Sequence, residues 1–493
     1  MTFPGGPLGA GVESGRILFL GCGSVTQCSL PLLLREQVCP PDRITVLDMV
    51  DNRARIVDEI AKGVTYVVDR ITPDNLGEVL ARYVGPGDIC LDLAWNIDTC
   101  AILQWCRDNG VRYLNTSLEV WDPYDDAAHV PPLDRTLYVR HMAMRRMIAG
   151  WPDNRGPSAV IEHGANPGLV SHWTKQALVE IATSALRDSL VATPSSGLLE
   201  AALADRAYAT VAHLLDVRVI HVAERDTQIT SMPKQVDEFV NTWSVEGFYE
   251  EGVAPAEMGW GTHERRLPPD AHVHAGEGPA NQICLARMGA KTWVRSRVPS
   301  GEIVGMVIRH GEAFTITDRL TVWDGDRPVY RPTVHYAYCP ADAAMASMHE
   351  LEMRQWVMQP GQRILNDEID SGRDELGVLL MGHPYKSWWT GSLLGIDDAR
   401  SLVPHQNATT VQVASSVLGA VRWMIAAPNE GVRVPDDLPW EDVLAAARPY
   451  LGPQHSGPID WDPLQSRVDL FADYAERRLD HTDPWQFTNF LVS

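Results

Sequence analysis

The first 165 residues alternate short apolar runs with longer amphipathic segments. The segments have helical patterns, and the clearest, Asp98–Asn109, has Asn96 as a candidate N-cap and Gly110 as a stop signal. Strands that alternate with helices predict a parallel sheet with right-handed crossovers. The predicted strands are Arg16–Leu20, Ile44–Leu47, Val64–Val68, Ile89–Leu93, Val111–Leu114 and Ala159–Ile161.

The pattern changes after residue 165. A turn at Ala165–Gly168 leads into a predicted helix, and short strands mixed with turns follow to about residue 400. We therefore predict an α/β protein with an N-terminal Rossmann-type parallel-sheet domain (1–165) and a second, α+β domain (166–400). A helix near 405–427 is expected to rejoin the first domain, and 428–493 to form a wrapping tail.

Composition indicates an ordinary globular protein. Of the 493 residues, 45% are hydrophobic and 22% charged, which allows a sizeable core. The longest apolar stretch, 411–427, contains Arg422 and predicts no membrane span. The first fifteen residues lack the basic start and apolar stretch of a signal peptide. The eight cysteines contain no C-x-x-C pair, so we expect reduced thiols in a cytoplasmic protein without a metal site.

The net charge of −22 bears on the partners of the protein. It argues against nucleic acid, because phosphate binding needs a basic surface. An acidic field would steer a polycationic substrate inward. The same charge would also serve simply as a solvated surface that keeps the protein in solution, and charge alone favours that second interpretation.

A glycine loop follows the first predicted strand. Gly21 and Gly23 have the spacing that lets a backbone turn and a helix N-terminus face a pyrophosphate, although Thr26 stands where the fingerprint has Gly or Ala. Asp48, at the end of the second strand, favours NAD by accepting hydrogen bonds from a ribose. Arg53 and Arg55 are close enough in sequence to bind a 2′-phosphate, so the 2′-phosphorylated form of the cofactor remains an alternative. The predicted cofactor-binding residues are Gly21, Gly23, Ser24, Val25, Thr26 and Asp48.

Several stretches of the second half place glycines beside acidic and aromatic residues, which marks either a ligand site or ordinary turns. These stretches, together with two in the tail, are EHGANPGLVSH (162–172), AERDTQ (223–228), NTWSVEGFYEEG (241–252), GWGTHE (259–264), RHGEAF (309–314), WDPLQS (461–466) and DPWQFTNFLV (483–492). They resemble the signature stretches of bacterial homospermidine synthases, of the saccharopine-dehydrogenase-like group. The resemblance extends from about Ile17 to Val492.

The resemblance implies an NAD-dependent reaction without net redox change. In that family, two putrescines, or spermidine plus putrescine, are coupled to sym-homospermidine through imine intermediates, and NAD is retained. A homodimer is the family expectation.

The resemblance also implies site residues whose chemistry suits diamines. A dication needs carboxylates, a carboxylate can act as general base, an indole face can hold a protonated imine, and a histidine can carry protons. Taken singly, each residue also has a structural interpretation, as surface, core or turn. The catalytic candidates are Glu224, Trp243, Glu251, His310, Glu312 and Asn166, and the substrate-binding or supporting candidates are Glu119, Asn96 and Glu246.

Three features depart from the family pattern: Thr26, the bulky Trp95, and an apparent insertion at Phe471–His481. Two other functions remain as alternatives. A reductive-amination dehydrogenase of the saccharopine or carboxynorspermidine type would need pocket arginines for a substrate carboxylate. A non-catalytic NAD-binding regulatory protein would have lost the acidic and aromatic cluster.

Overall fold

A computed structural model describes residues 15–123, 129–467 and 479–492. Residues 1–14, where a signal peptide would begin, and residues 471–478 of the apparent insertion fall outside these ranges. No helix within the ranges is long and apolar enough to cross a membrane.

In chain order, the strands are β1 Ile17–Leu20, β2 Ile44–Asp48, β3 Thr65–Val68, β4 Ile89–Asp92, β5 Arg112–Asn115, β6 Gly156–Val160, β7 Val219–Asp226, β8 Ile229–Thr230, β9 Glu238–Asn241, β10 Pro255–Gly259, β11 Ala271–Val273, β12 Gln282–Met288, β13 Trp293–Val298, β14 Gly301–Met306, β15 Val322–Asp324, β16 Arg327–Tyr330, β17 Thr333–Cys339, β18 Gly361–Ile364, β19 Ile369–Ser371, β20 Arg373–Met381, β21 Ser387–Gly395, β22 Glu430–Arg433 and β23 Gln454–Ile459.

The helices connect these strands and cover the faces of the sheets. They are α1 Ser24–Arg35, α2 Val57–Ala61, α3 Leu76–Tyr83, α4 Thr99–Asp108, α5 Leu137–Ala149, α6 Leu169–Arg187, α7 Thr193–Ala204, α8 Tyr208–Leu214, α9 Val245–Val253, α10 Gly311–Arg319, α11 Asp342–Met353, α12 Ile396–Leu402, α13 Ala408–Ala426, α14 Trp440–Ala447 and α15 Phe487–Phe490.

The first sheet has seven parallel strands in the order β22, β6, β5, β4, β1, β2, β3. The predicted Rossmann-type parallel sheet is therefore confirmed. The chain crosses from β3 to β4 on the far side of β1, which creates a switch point between β1 and β4 where ligands bind in such sheets. The predicted cap of α4 is wrong: the Asp98 side chain, not Asn96, accepts from the Ala101 N–H at 2.8 Å.

The second sheet has ten strands and is mixed, as the α+β prediction requires. Its main path is β11, β12, β10, β17, β7, β20, β21, β23, and the β13–β14 hairpin joins through β14 to β17. Strand β7 lies near the centre, parallel to β17 and antiparallel to β20. Its side chains alternate between two cores, with Ile220 and Val222 in one and Val219 and Ala223 in the other. The same alternation puts Glu224 on the face of Ile220 and Val222.

Helix α13 is held by both domains. Its apolar side packs in one core with α1 and strands β1, β2 and β4. At its start, the Asn407 side chain accepts from the Thr410 N–H at 2.9 Å and donates to the carbonyls of Thr242 and Leu365, both at 2.7 Å. The chain beyond this helix then adds β22 to the first sheet and β23 to the second.

We expect Asn407→Ala to lower the free energy of unfolding by about 2–4 kcal/mol, because it removes a helix cap and leaves two buried carbonyls without a donor. Asn109→Ala is the matched control, since Asn109 is exposed and bonds only its own helix. Its expected cost is below about 0.5 kcal/mol. Urea denaturation followed by tryptophan fluorescence measures both, and equal losses would contradict a bridging role for Asn407.

Candidate active site

A cleft lies at the carboxyl ends of the first-sheet strands, where the second domain closes over them. The cleft encloses about 1190 Å³ of empty space, part of it open to solvent. The first domain contributes the segments after β1, β4, β5 and β6, and α13 adds Thr409 and Val413. This position is the ligand-binding edge of a doubly wound sheet.

The glycine loop at this edge suits a dinucleotide. Gly21 has φ of 85°, and a β-carbon there would stand 2.9 Å from the Leu93 carbonyl oxygen. A β-carbon at Gly23 would meet nothing within 4 Å, so the loop faces open space. Helix α1 begins next to Gly23 without a side-chain cap, and Ser24 and Val25 line the cleft. Uncapped N–H groups facing an open cradle fit a pyrophosphate.

Thr26 and Asp48 hold the loop in shape. The Thr26 hydroxyl is buried and donates to the Gly21 carbonyl at 2.8 Å, so the departure from Gly or Ala is accommodated by a hydrogen bond. The Asp48 carboxylate accepts from the N–H groups of Cys22 at 2.6 Å and Val50 at 2.8 Å. Asp48 therefore ties the end of β2 to the glycine loop, which is a structural role in addition to the predicted contact with a ribose.

Glu224 is buried at the end of β7 inside the cleft. Its Oε2 accepts a hydrogen bond from Asn166 Nδ2 at 3.3 Å and another from the Tyr336 hydroxyl. Burial raises the pKa of Glu224 to about 8, although the Tyr336 hydrogen bond opposes the shift. A carboxyl group with such a pKa exchanges protons near neutral pH, which suits a general base.

Two further carboxyl groups lie behind Glu224. Asp226 follows two residues later on β7, and Asp374 is its cross-strand partner on β20. Burial raises the pKa of both, to about 6 for Asp226, and for Asp374 the charges of Glu224 and Asp226 add to the shift. Because neighbouring negative charges repel, the group carries fewer than three charges at neutral pH and favours a bound cation.

His310 lies between two carboxylates. Its Nε2 is 2.9 Å from Glu251 Oε2, and its Nδ1 is 3.3 Å from Glu312 Oε2. Burial alone would lower the pKa of His310, but Glu251 and Glu312 raise it well above its ordinary value. The two carboxylates therefore favour the protonated imidazolium form of His310, and its ring centre lies 4.4 Å from that of Tyr336.

Trp243 is fixed beside these groups. Its indole N–H donates to the Tyr338 hydroxyl at 2.9 Å, and Tyr338 stacks on Tyr336 with ring centres 5.2 Å apart. Phe248 packs on the other side of Tyr338 and also contacts Trp243. These contacts hold the indole against the cleft, which Trp243 lines.

A second carboxylate group lies toward Arg140. Glu250 accepts from Arg140 Nη2 at 2.6 Å and also from Arg309, and despite burial these two guanidiniums lower its pKa. Glu119 lies partly buried next to them. Burial and the charge of Glu250 raise the pKa of Glu119 to about 7. Its Oε1 accepts from Ser117 at 2.8 Å, whereas Oε2 has no hydrogen-bond partner among the described residues.

Comparison with known proteins agrees with this geometry. Residues 17–160 match the saccharopine dehydrogenase NADP binding domain, and residues 164–455 match the saccharopine dehydrogenase C-terminal domain. The homospermidine synthase of Mesorhizobium japonicum is 38% identical over 489 residues, 98% of this chain and 97% of that one. The homospermidine synthase of Blastochloris viridis is 40% identical over 486 residues, 97% of each.

A solved structure aligns over nearly the whole chain. It is the crystal structure of the homospermidine synthase from Legionella pneumophila in complex with NAD. Its TM-score is 0.85 at 36% sequence identity, over 97% of this chain and 98% of that one. The chain belongs to the homospermidine synthases. The resemblance found in the second-domain stretches thus extends to the fold of this family.

The cleft brings together most of the residues that the homospermidine synthase resemblance singled out. Among the described residues, Asn96, Glu246 and Glu312 do not line it. Glu312 stands behind His310, and Glu246 lies in the first turn of α9 near Ser244. The predicted cofactor-binding residues Gly21, Gly23, Thr26 and Asp48 also lie outside the lining. The predicted residues that do line the cleft are Ser24, Val25, Glu119, Asn166, Glu224, Trp243, Glu251 and His310. The predicted roles of all these residues stay predictions.

Several residues of the cleft were not identified from the sequence. Tyr336 comes from β17, far along the chain from Glu224, and no motif marked it. Glu162, in the stretch EHGANPG, lines the cleft with φ of 59° and contacts His141 Nε2 at 2.8 Å. The glycine at position 311 leaves room for Glu162, because a β-carbon there would overlap the Glu162 carboxylate. This glycine was the one sequence signal of the position of Glu162.

We expect Gly311→Ala to lower the free energy of unfolding by about 2–3 kcal/mol, because the added methyl displaces Glu162 from its buried hydrogen bond with His141. Gly197→Ala is the matched control, since a β-carbon there meets nothing within 4 Å and Gly197 lies inside α7. It should stabilise the protein by up to about 1 kcal/mol. A Gly311→Ala protein as stable as wild type would refute the close contact.

Proposed function

We propose that the cleft couples two diamines in the reaction of a homospermidine synthase. Two putrescines, or spermidine and putrescine, give sym-homospermidine and ammonia through imine intermediates, without net redox change. The observation that carries the proposal is the composition of the cleft. Five glutamates and two tryptophans line it beside a dinucleotide loop, and they are Glu119, Glu162, Glu224, Glu250, Glu251, Trp95 and Trp243.

NAD, when bound, supplies the hydride acceptor for the first step and returns the hydride in the last. Gly21, Gly23, Ser24, Val25 and Thr26 would hold its pyrophosphate at the start of α1. Asp48 ends β2, where a carboxylate accepts from a ribose and repels a 2′-phosphate. The nearby Arg53 is paired with Asp51 at 3.1 Å, which also favours NAD over its phosphorylated form.

Glu224 is the proposed base. An ammonium that binds this carboxylate gains a charge-assisted hydrogen bond, and Asn166 beside it orients the nitrogen. Because the pKa of Glu224 is about 8, the group can take a proton from the amine near neutral pH. The free amine so formed is the species that loses a hydride.

Trp243 is the proposed stabiliser of the cationic imine. The face of an aromatic ring stabilises a cation by about 0.5–2 kcal/mol, and the upper end of this range applies when water is excluded. The contact with Tyr338 keeps the indole in place while the charge develops. Exclusion of water also protects the imine from hydrolysis until the second amine adds.

His310 is the proposed proton donor to the leaving nitrogen. Addition of the second amine to the imine carbon gives an intermediate with two nitrogens on one carbon, and the first departs as ammonia once protonated. As an imidazolium held by Glu251, His310 has the required proton. The new imine then receives the returning hydride.

The alternatives fit the cleft less well. A reductive-amination dehydrogenase would use an arginine for a substrate carboxylate, but the two cleft arginines, Arg140 and Arg309, are both paired with Glu250. A non-catalytic NAD-binding protein would not need the carboxylates and the indole together. A homodimer remains our expectation from the family resemblance, and a cytoplasmic location remains our expectation from the cysteines.

The test is to incubate purified protein with putrescine and NAD⁺ present at far less than the diamine concentration. The expected result is homospermidine and ammonia, with many turnovers per NAD⁺ and no net change in NADH absorbance. Steady NADH accumulation would indicate the dehydrogenase, and no turnover would indicate the regulatory protein.

Glu224→Gln keeps the shape of the side chain but removes the base. We expect its kcat to fall by about 10²–10⁴-fold. Glu352→Gln is the matched control, because Glu352 is a half-exposed partner of Lys291 outside the cleft, and it should keep full activity. Retention of activity in Glu224→Gln would exclude Glu224 as the base.

A further inference from the structure

Trp95 is an aromatic residue of the cleft that the mechanism above does not use. It follows β4 on the first domain, 40% exposed, and lines the cleft together with Leu93 and Ala94. Trp243, by contrast, comes from the second domain. The cleft therefore has an indole from each domain, and one of them borders solvent.

Trp95 lies next to Glu250, a carboxylate whose negative charge is already balanced by two arginines. Trp95 and Glu250 both line this part of the cleft, and the charge of Glu250 is met by Arg140 and Arg309. Glu250 therefore does not itself attract a further ammonium strongly.

Glu119 is the remaining acidic group at this end. Its Oε2 is buried and has no hydrogen-bond partner among the described residues. A buried carboxylate oxygen without a donor is a place where a donor from a ligand would be stabilised. One open carboxylate oxygen and one indole thus line the same end of the cleft.

We propose that Trp95 determines which amine serves as acceptor, by binding the distal ammonium of the acceptor diamine between its ring and Glu119. This inference rests on the proposed coupling function and deepens it. The reacting nitrogen of the acceptor would then lie near Trp243, and the second positive charge would lie at the Trp95 end. A cation on an indole face gains attraction that a neutral hydroxyl does not.

A different role for Trp95 would be to narrow the cleft. In that case it would respond to the size of the acceptor and not to its charge. Putrescine and 4-aminobutan-1-ol separate the two roles, because they have nearly the same shape and only putrescine has the second ammonium.

The experiment is a competition between these two acceptors with NAD⁺ and putrescine as donor. The amino alcohol is supplied with ¹⁵N. As an acceptor it keeps its nitrogen in the product, whereas as a donor it would lose that nitrogen as ammonia. Mass spectrometry of homospermidine and of the ¹⁵N-labelled hydroxybutyl product gives the acceptor preference directly.

We expect Trp95→Ala to lower the preference for putrescine by about three- to tenfold, while Trp95→Phe, which keeps a ring, loses less. Trp323→Ala is the matched control, since Trp323 is 43% exposed on the β15–β16 hairpin and does not line the cleft. It should leave the preference unchanged.

The inference would be overturned if Trp95→Ala left the ratio of the two products unchanged, whether the total amount of product stayed the same or fell. Either result in an otherwise active enzyme leaves the coupling function intact. If wild-type protein forms neither product, the proposed function fails, and the acceptor role of Trp95 fails with it.

Discussion

The burial of Glu224 at the meeting of the two domains governs the chemistry of the cleft. A carboxylate taken out of water is destabilised unless it gains partners, and here those partners are a tyrosine hydroxyl and an amide, both neutral. With a pKa of about 8, the carboxyl group is consequently mostly protonated at neutral pH. A bound ammonium would supply the missing positive charge, so a cationic substrate and the folded protein stabilise each other.

Two other charged groups of the cleft, Glu250 and His310, are compensated within the protein. Glu250 has two arginines, and the His310 imidazolium has two carboxylates. Breaking one partner of a buried pair costs more than the pair contributes, so these groups are held in fixed positions. Helix α13 adds rigidity, because its cap bonds the second domain and its apolar side packs in the first. The cleft is thus a preorganised site whose unbalanced charge is negative.

The sequence predicted the features that depend on local patterns. Six of the seven strands of the first sheet follow from short apolar runs, and the glycine loop follows from its place after the first strand. In the second domain, the long stretches around Glu224, Trp243 and His310 carried the family resemblance. Tyr336 and Arg140 could not be found this way, because only tertiary pairing brings β17 and α5 to the cleft. Asn96 was predicted as the cap of α4, but Asp98 also precedes the helix. Only the backbone geometry decides which of the two side chains caps it.

Proton release on diamine binding tests the central claim most directly. The protein is loaded with NADH, so that no hydride can be taken from the amine, and is titrated with putrescine by calorimetry at pH 7 in buffers of different ionisation enthalpy. Because the pKa of Glu224 is about 8, wild-type protein should release protons to the buffer as the carboxylate forms. Glu224→Gln should release about one proton fewer per site. Identical proton release by wild type and Glu224→Gln would contradict the account.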